Sequence, residues 1–88
     1  MKTLDDLRKE IDILDEELIQ VLAKRTAVVK KIGEFKKQNS IKPLDEKRWA
    51  EVLNRVLTHA KKHNIPEELV KNIFEYIHKA ALTIEHHE

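Results

Sequence analysis

The sequence predicts an all-α fold of three helices, one long and two shorter, paired with a second copy in an antiparallel homodimer. Three observations carry this reading. Charged residues make up 38% of the 88-residue chain, against roughly 25% in an average domain, as expected of amphipathic helices with solvated outer faces. One glycine and two prolines leave strands and their turns little support. Leu4, Leu7, Ile11, Leu14, Leu18, Val21, Val28, Ile32 and Phe35 follow one alternating three-and-four spacing, the buried seam of a long helix.

Each element has its own local signals. Thr3 is a good N-cap, Asp5 and Asp6 suit the positive end of the first helix, and the seam carries that helix to about Lys37. Such a rod is ~50 Å long, more than two short helices could cover, so a second rod is expected beside it. Gln38 to Leu44, with Asn39, Ser40 and Pro43, forms the first connection, and Asp45 caps helix two. Trp49, Val52, Leu53, Val56, Leu57 and Ala60 give that helix its apolar stripe. His63, Asn64 and Ile65 make a short turn, Pro66 fits the first position of helix three, and Glu67 and Glu68 follow at its positive end. Leu69, Val70, Ile73, Phe74, Ile77, Ala81 and Ile84 form the third stripe. Residues 1–88 are read as one domain without internal repeats. A lone core of this size buries only ~60 to 65% of the unfolded surface, a second reason to expect a dimer.

Composition also narrows the function. Seventeen basic residues interleave with sixteen acidic ones for a net charge of +1, so no basic face large enough to follow a phosphate backbone is expected. No nucleic acid and no membrane is expected as a partner, since no long apolar run is present. The lack of cysteine and of a secretory signal points to a soluble cytoplasmic protein. His59 and His63 have a spacing that suits a metal but lack a third ligand, so no metal is expected. No glycine-rich phosphate loop and no nucleophile in a catalytic setting stands in the sequence. His86 and His87 read as a frayed tail. Gly33 inside a helix costs ~1 kcal/mol relative to alanine, which fits close approach of a neighbour.

One residue breaks the apolar seam. The position that completes the series between Val21 and Val28 is Arg25, and an unpaired guanidinium in a seam costs several kcal/mol. No acidic residue lies on the adjoining turns, so a place for an anion is the stronger reading. The flanking heptad stripe runs Arg8, Asp15, Leu22, Val29, Lys36, adding two cations at one angular position. Arg25 and Lys36 are ~17 Å apart along the axis, a gap two long side chains can close around one small molecule. Arg8 lies ~25 Å from Arg25 and reaches the same place only from an antiparallel partner rod, with a two-fold axis near Leu18 to Val21. Helix two adds Arg48 on the side of Asp45, and helix three adds Glu85 at the edge of its stripe. These cations outnumber the two acids, and a small dicarboxylate is the matching ligand. Taken singly, most have plainer explanations. Arg8 can pair with Asp5 or Asp12, Lys36 can suit the helix dipole, Asp45 can be only a cap, and Arg48 and Glu85 can be solvated.

The same residues carry a family resemblance. Leu7-Arg8-Lys9-Glu10-Ile11-Asp12-Ile13-Leu14-Asp15, then Leu18, Leu22 and Arg25, Gly33-Glu34-Phe35-Lys36 and Pro43-Leu44-Asp45-Glu46-Lys47-Arg48 resemble the all-helical, AroQ-type chorismate mutases over nearly the whole chain. The resemblance implies an intertwined dimer that converts chorismate to prephenate by a Claisen rearrangement, in phenylalanine and tyrosine biosynthesis, with no cofactor. It implies that Arg8 of the other subunit and Arg25 bind the substrate carboxylates and that Lys36 contacts a carboxylate and the ether oxygen. Arg48 and Asp45 would line the pocket, with Asp45 near the substrate hydroxyl. Such a reaction needs orientation of a flexible dianion and stabilisation of negative charge on the breaking ether oxygen, with no base or nucleophile.

Three positions depart from the family pattern. Glu85 stands where bacterial members commonly have a glutamine that donates to the ether oxygen, so it must be protonated to do the same, as in fungal and plant relatives. Activity is then expected to fall as pH rises. Trp49 replaces a frequent glutamate that holds the substrate hydroxyl, and Ala81 replaces a frequent serine. Two rival readings follow. Isochorismate pyruvate lyases resemble the same fold and cation set and would release pyruvate and salicylate. A helical dimerisation or regulatory module would bind neither substrate and lose nothing on Arg25→Ala.

Overall fold

Thr3 starts the first helix as its neighbours dictate. Its hydroxyl accepts from the Asp6 amide at 3.1 Å and the Asp6 carboxylate accepts from the Thr3 amide at 3.0 Å, a reciprocal capping box that satisfies two otherwise unpaired donors. These bonds, the backbone one first, hold the Asp6 carboxyl below its ordinary 3.8. The computed structural model describes residues 1–87, and among them the chain forms α1 (Leu4–Gln38), α2 (Glu46–Lys62) and α3 (Glu67–His87), with no strand. His86 and His87 are helical rather than frayed. Pro66 stands just ahead of α3, its carbonyl accepting from Val70 at 3.3 Å.

The first two helices end in the same way without a glycine. Beyond α1, Ser40 takes the left-handed conformation (φ 55°). Its amide returns to the Lys37 carbonyl, and the Ile41 amide to that of Lys36 at 2.7 Å. Beyond α2, Asn64 (φ 57°) does the same, with Ile65 bonding Ala60 at 2.9 Å. Both are Schellman turns, which pair the last carbonyls and turn the chain sharply. The second reverses α2 into α3. The first carries the chain to Asp45, whose carboxylate accepts from the Arg48 amide at 3.0 Å and starts α2.

Packing is uneven along the long helix. Helix α3 lies between the other two, touching α1 and α2, while α1 and α2 do not pack on each other among the described residues. The core consists of Val29 and Gly33 from α1 with Val52, Val56 and Ala60 from α2. Gly33, without a side chain, is where α3 comes close to α1. The expected seam of α1 is therefore not its buried face within this chain. Leu7, Ile11, Leu14, Leu18 and Val21 are 47–59% exposed and Phe35 is 60% exposed; the adjoining stripe through Leu22, Val29 and Lys36 faces α3 instead. The molecule is 58 Å long with a radius of gyration of 16.4 Å, where a compact chain of this length has about 12 Å.

Candidate active site

The end of α1 is built around the ammonium of Lys36. The Schellman turn folds the chain back so that Lys36 Nζ donates to the Pro43 carbonyl at 2.6 Å. From α3, Glu85 Oε1 lies 2.6 Å from the same ammonium, and the two side chains are 19% and 8% exposed. That oxygen is buried and meets the ammonium as an ion pair without a donor aligned for a hydrogen bond. Asp45 spends one carboxylate oxygen on capping α2. Arg48, one turn further, is exposed and 3.7 Å from Glu51. Arg25 is half-buried and takes part in no ion pair among the described residues.

These groups open onto one cavity of about 340 Å³, in the range that holds a small molecule. Helix α1 supplies Arg25, Val29, Ile32 and Lys36; Pro43 closes one corner; α2 supplies Asp45, Arg48, Trp49, Val52 and Arg55; α3 supplies His78, Ala81, Leu82 and Glu85. Of the residues singled out from sequence, Arg25, Lys36, Asp45, Arg48, Ala81 and Glu85 therefore border the same space. Arg8 does not reach it within its own chain. It is 69% exposed and 3.8 Å from Asp5, the plainer of its two readings. Four cations line the cavity, against two acids already engaged by Lys36 and the Arg48 amide. The arrangement suits a small anion with more than one negative group, oriented between charges, and offers no nucleophile.

Residues 7–86 match the model of the family described as chorismate mutase type II. The chain belongs to that family. It is 30% identical over 84 residues to the chorismate mutase of Methanocaldococcus jannaschii, covering 93% of this chain and 85% of that protein. It is 33% identical over 88 residues to the bifunctional chorismate mutase/prephenate dehydratase of Aquifex aeolicus, and 37% identical over 73 residues to the T-protein of Haemophilus influenzae. The chain spans 24% and 19% of those two longer relatives.

In this chorismate mutase type II chain, two polar cavity residues, and Leu82 beside them, escaped the sequence reading. Arg55 stands one heptad after Arg48, and His78 one heptad before Glu85, so each shares a helix face with a residue already singled out. That spacing was the available signal. His78 was hidden because it sits inside an otherwise apolar stripe, and Arg55 because a solvated helix face has many arginines. Trp49, read as a candidate core residue, is half-buried in the cavity wall. His59 and His63 have ring centroids 6.5 Å apart, and no group of three possible metal ligands gathers among the described residues.

Proposed function

We propose that this protein is a chorismate mutase that isomerises chorismate to prephenate, acting as a homodimer in the cytoplasm. The observation that carries the reading is the half-buried Lys36 ammonium, held by Pro43 and Glu85 at one end of a cavity whose other end has Arg25, unpaired among the described residues. Family membership and the 85% coverage of the archaeal chorismate mutase support it. In this reading Arg25 and the partner's Arg8 hold the substrate carboxylates, with Arg48 and Asp45 lining the pocket, and restrict the dianion to the folded geometry the rearrangement requires. As the C–O bond breaks and a new C–C bond forms, negative charge grows on the ether oxygen. Lys36 then stabilises the transition state more than the ground state.

The bare apolar half of α1 supports the dimer. A second rod packed antiparallel along Leu7, Ile11, Leu14 and Leu18 would cover that face and bring the partner's Arg8 to the cavity, two sites per dimer. Domain 1–88 is read as the unit that does this.

Glu85 is the part of this proposal that opposes the chemistry when it carries charge. Ionised, it competes with the ether oxygen for the Lys36 ammonium and repels the developing charge. Protonated, it frees the ammonium and can itself donate. Glu85→Gln, whose amide donates without a proton, should therefore raise turnover. The test is loss of chorismate ultraviolet absorbance with wild-type and variant protein, with the product identified as prephenate. Prephenate formed by both, and faster by Glu85→Gln, is the expected result. Release of salicylate from isochorismate, with chorismate untouched, would transfer the site to a lyase, and turnover of neither would leave a binding module.

A further inference from the structure

Besides its cations, the cavity has a polar side chain that neither charge pairing nor capping explains. His78 faces it from α3 and is half-buried. The polar contacts of the cavity wall run between Lys36, Pro43 and Glu85, between Asp45 and Arg48, and between Arg48 and Glu51. Among the described residues, none includes the imidazole. Its ring lies flat against the Trp49 indole, centroids 4.1 Å apart and planes within 8°. Face-on stacking fixes the plane of the imidazole and leaves both ring nitrogens free at its edge, as a donor and an acceptor when neutral.

We propose that His78, held flat by Trp49, recognises the uncharged oxygen of the substrate, the ring hydroxyl beside the ether bond. The inference rests on the chorismate reading and adds a residue to it. The cations of the cavity match the two carboxylates, and Lys36 with Glu85 matches the ether oxygen. A hydroxyl, which both donates and accepts, matches an imidazole edge, whose two ring nitrogens can do the same. The spacing agrees. His78 and Glu85 are two turns apart, about 10 Å along the axis. Two adjacent ring oxygens with a hydrogen bond of about 3 Å on each side span most of that distance. Ala81, between them on the same face, has too small a side chain to obstruct the ring. Trp49 is a positioning residue, acting through the imidazole it stacks on.

The test compares chorismate with an analogue whose ring hydroxyl is replaced by hydrogen, which keeps both carboxylates and the bond that breaks. His78→Phe preserves the stack but has no ring nitrogen, and should lower kcat/KM for chorismate about tenfold, the loss of one hydrogen bond, while leaving the analogue unaffected. His78→Gln should recover part of the preference for the hydroxyl, and Trp49→Ala should weaken that preference without abolishing turnover. Circular dichroism checks that each variant folds, and His78→Gln carries the comparison alone if the phenylalanine variant does not. Equal losses on both substrates would overturn the role of His78 while leaving the mutase reading in place. Wild-type protein that turns over neither substrate would overturn both.

Discussion

The two halves of α1 share one apolar periodicity and meet opposite fates. From Leu4 to Val21 the stripe is bare, with Leu14 55% and Leu18 59% exposed. From Leu22 to Gln38 the helix turns Val29 and Gly33 into the core and Arg25 and Lys36 into the cavity. Every residue from Leu4 to Val21 is exposed in its own chain, while the second half is covered by α3 on the stripe beside the seam, with Val28, Ile32 and Phe35 still exposed. Periodicity states that a face is to be buried but not what buries it. The bare half is where the proposed dimer would pack, and the covered half is where the cavity lies.

The comparison breaks most severely if the bare half is given a charge. Leu14→Glu should place two carboxylates near the proposed two-fold axis. At about 3 kcal/mol each, the combined cost is about 6 kcal/mol, roughly a 10⁴-fold rise in the dimer dissociation constant. Sedimentation equilibrium should show a monomer, and activity should fall with it because the partner's Arg8 is withdrawn. A variant that stayed dimeric and active would remove α1 from the interface. In the covered half, Lys36→Gln should lower kcat by about 10²- to 10³-fold, the usual effect of removing a group that stabilises developing oxyanion charge. It also leaves Glu85 buried and unpaired, destabilising the fold by about 3 to 5 kcal/mol. Adding Glu85→Gln should restore most of that stability and none of the activity, which separates the chemical role of Lys36 from its structural one.

Helix number, caps and connections were legible in the sequence because they depend on neighbours: Thr3 with Asp6, Asp45 with the Arg48 amide. The irregularity at Arg25 was legible because charge in an apolar series is costly. The angular offset was not. Val28, Ile32 and Phe35 continue the seam in sequence, yet α3 packs on the stripe beside it, where Val29 and Gly33 are buried and Lys36 meets Glu85. The Trp49–His78 stack was illegible for a related reason. It joins residues 49 and 78, one from each of two helices, and no periodicity within a helix reports contacts between them.

A smaller effect tests the turn that places Pro43 against Lys36. A serine at φ 55° bears a strain that glycine does not, so Ser40→Gly should stabilise the protein by about 1 kcal/mol. Asn64→Gly should stabilise less, since asparagine tolerates that conformation better. Thermal unfolding of the two variants side by side measures the difference. If Ser40→Gly also weakens activity, rigidity of the turn at Lys36 contributes to catalysis.

The smallest effect lies at the start of the bare half. The Asp6 carboxyl titrates below its ordinary 3.8, chiefly because the Thr3 amide donates to it and then because of the Thr3 side chain. A carboxyl lowered in the folded state stabilises the folded state above its unfolded value, and the contribution disappears as pH falls through the folded value. The first turn of α1 should therefore loosen in acid, before the rest of the helix. Asp6→Asn, whose amide oxygen still accepts but does not titrate, should remove that pH step. Amide exchange across residues 4 to 8 measures the loosening, and exchange near Val29 and Gly33 gives the comparison. A step of equal size in both places would mean that α1 opens as one unit and that its halves, however differently covered, are not separately stable.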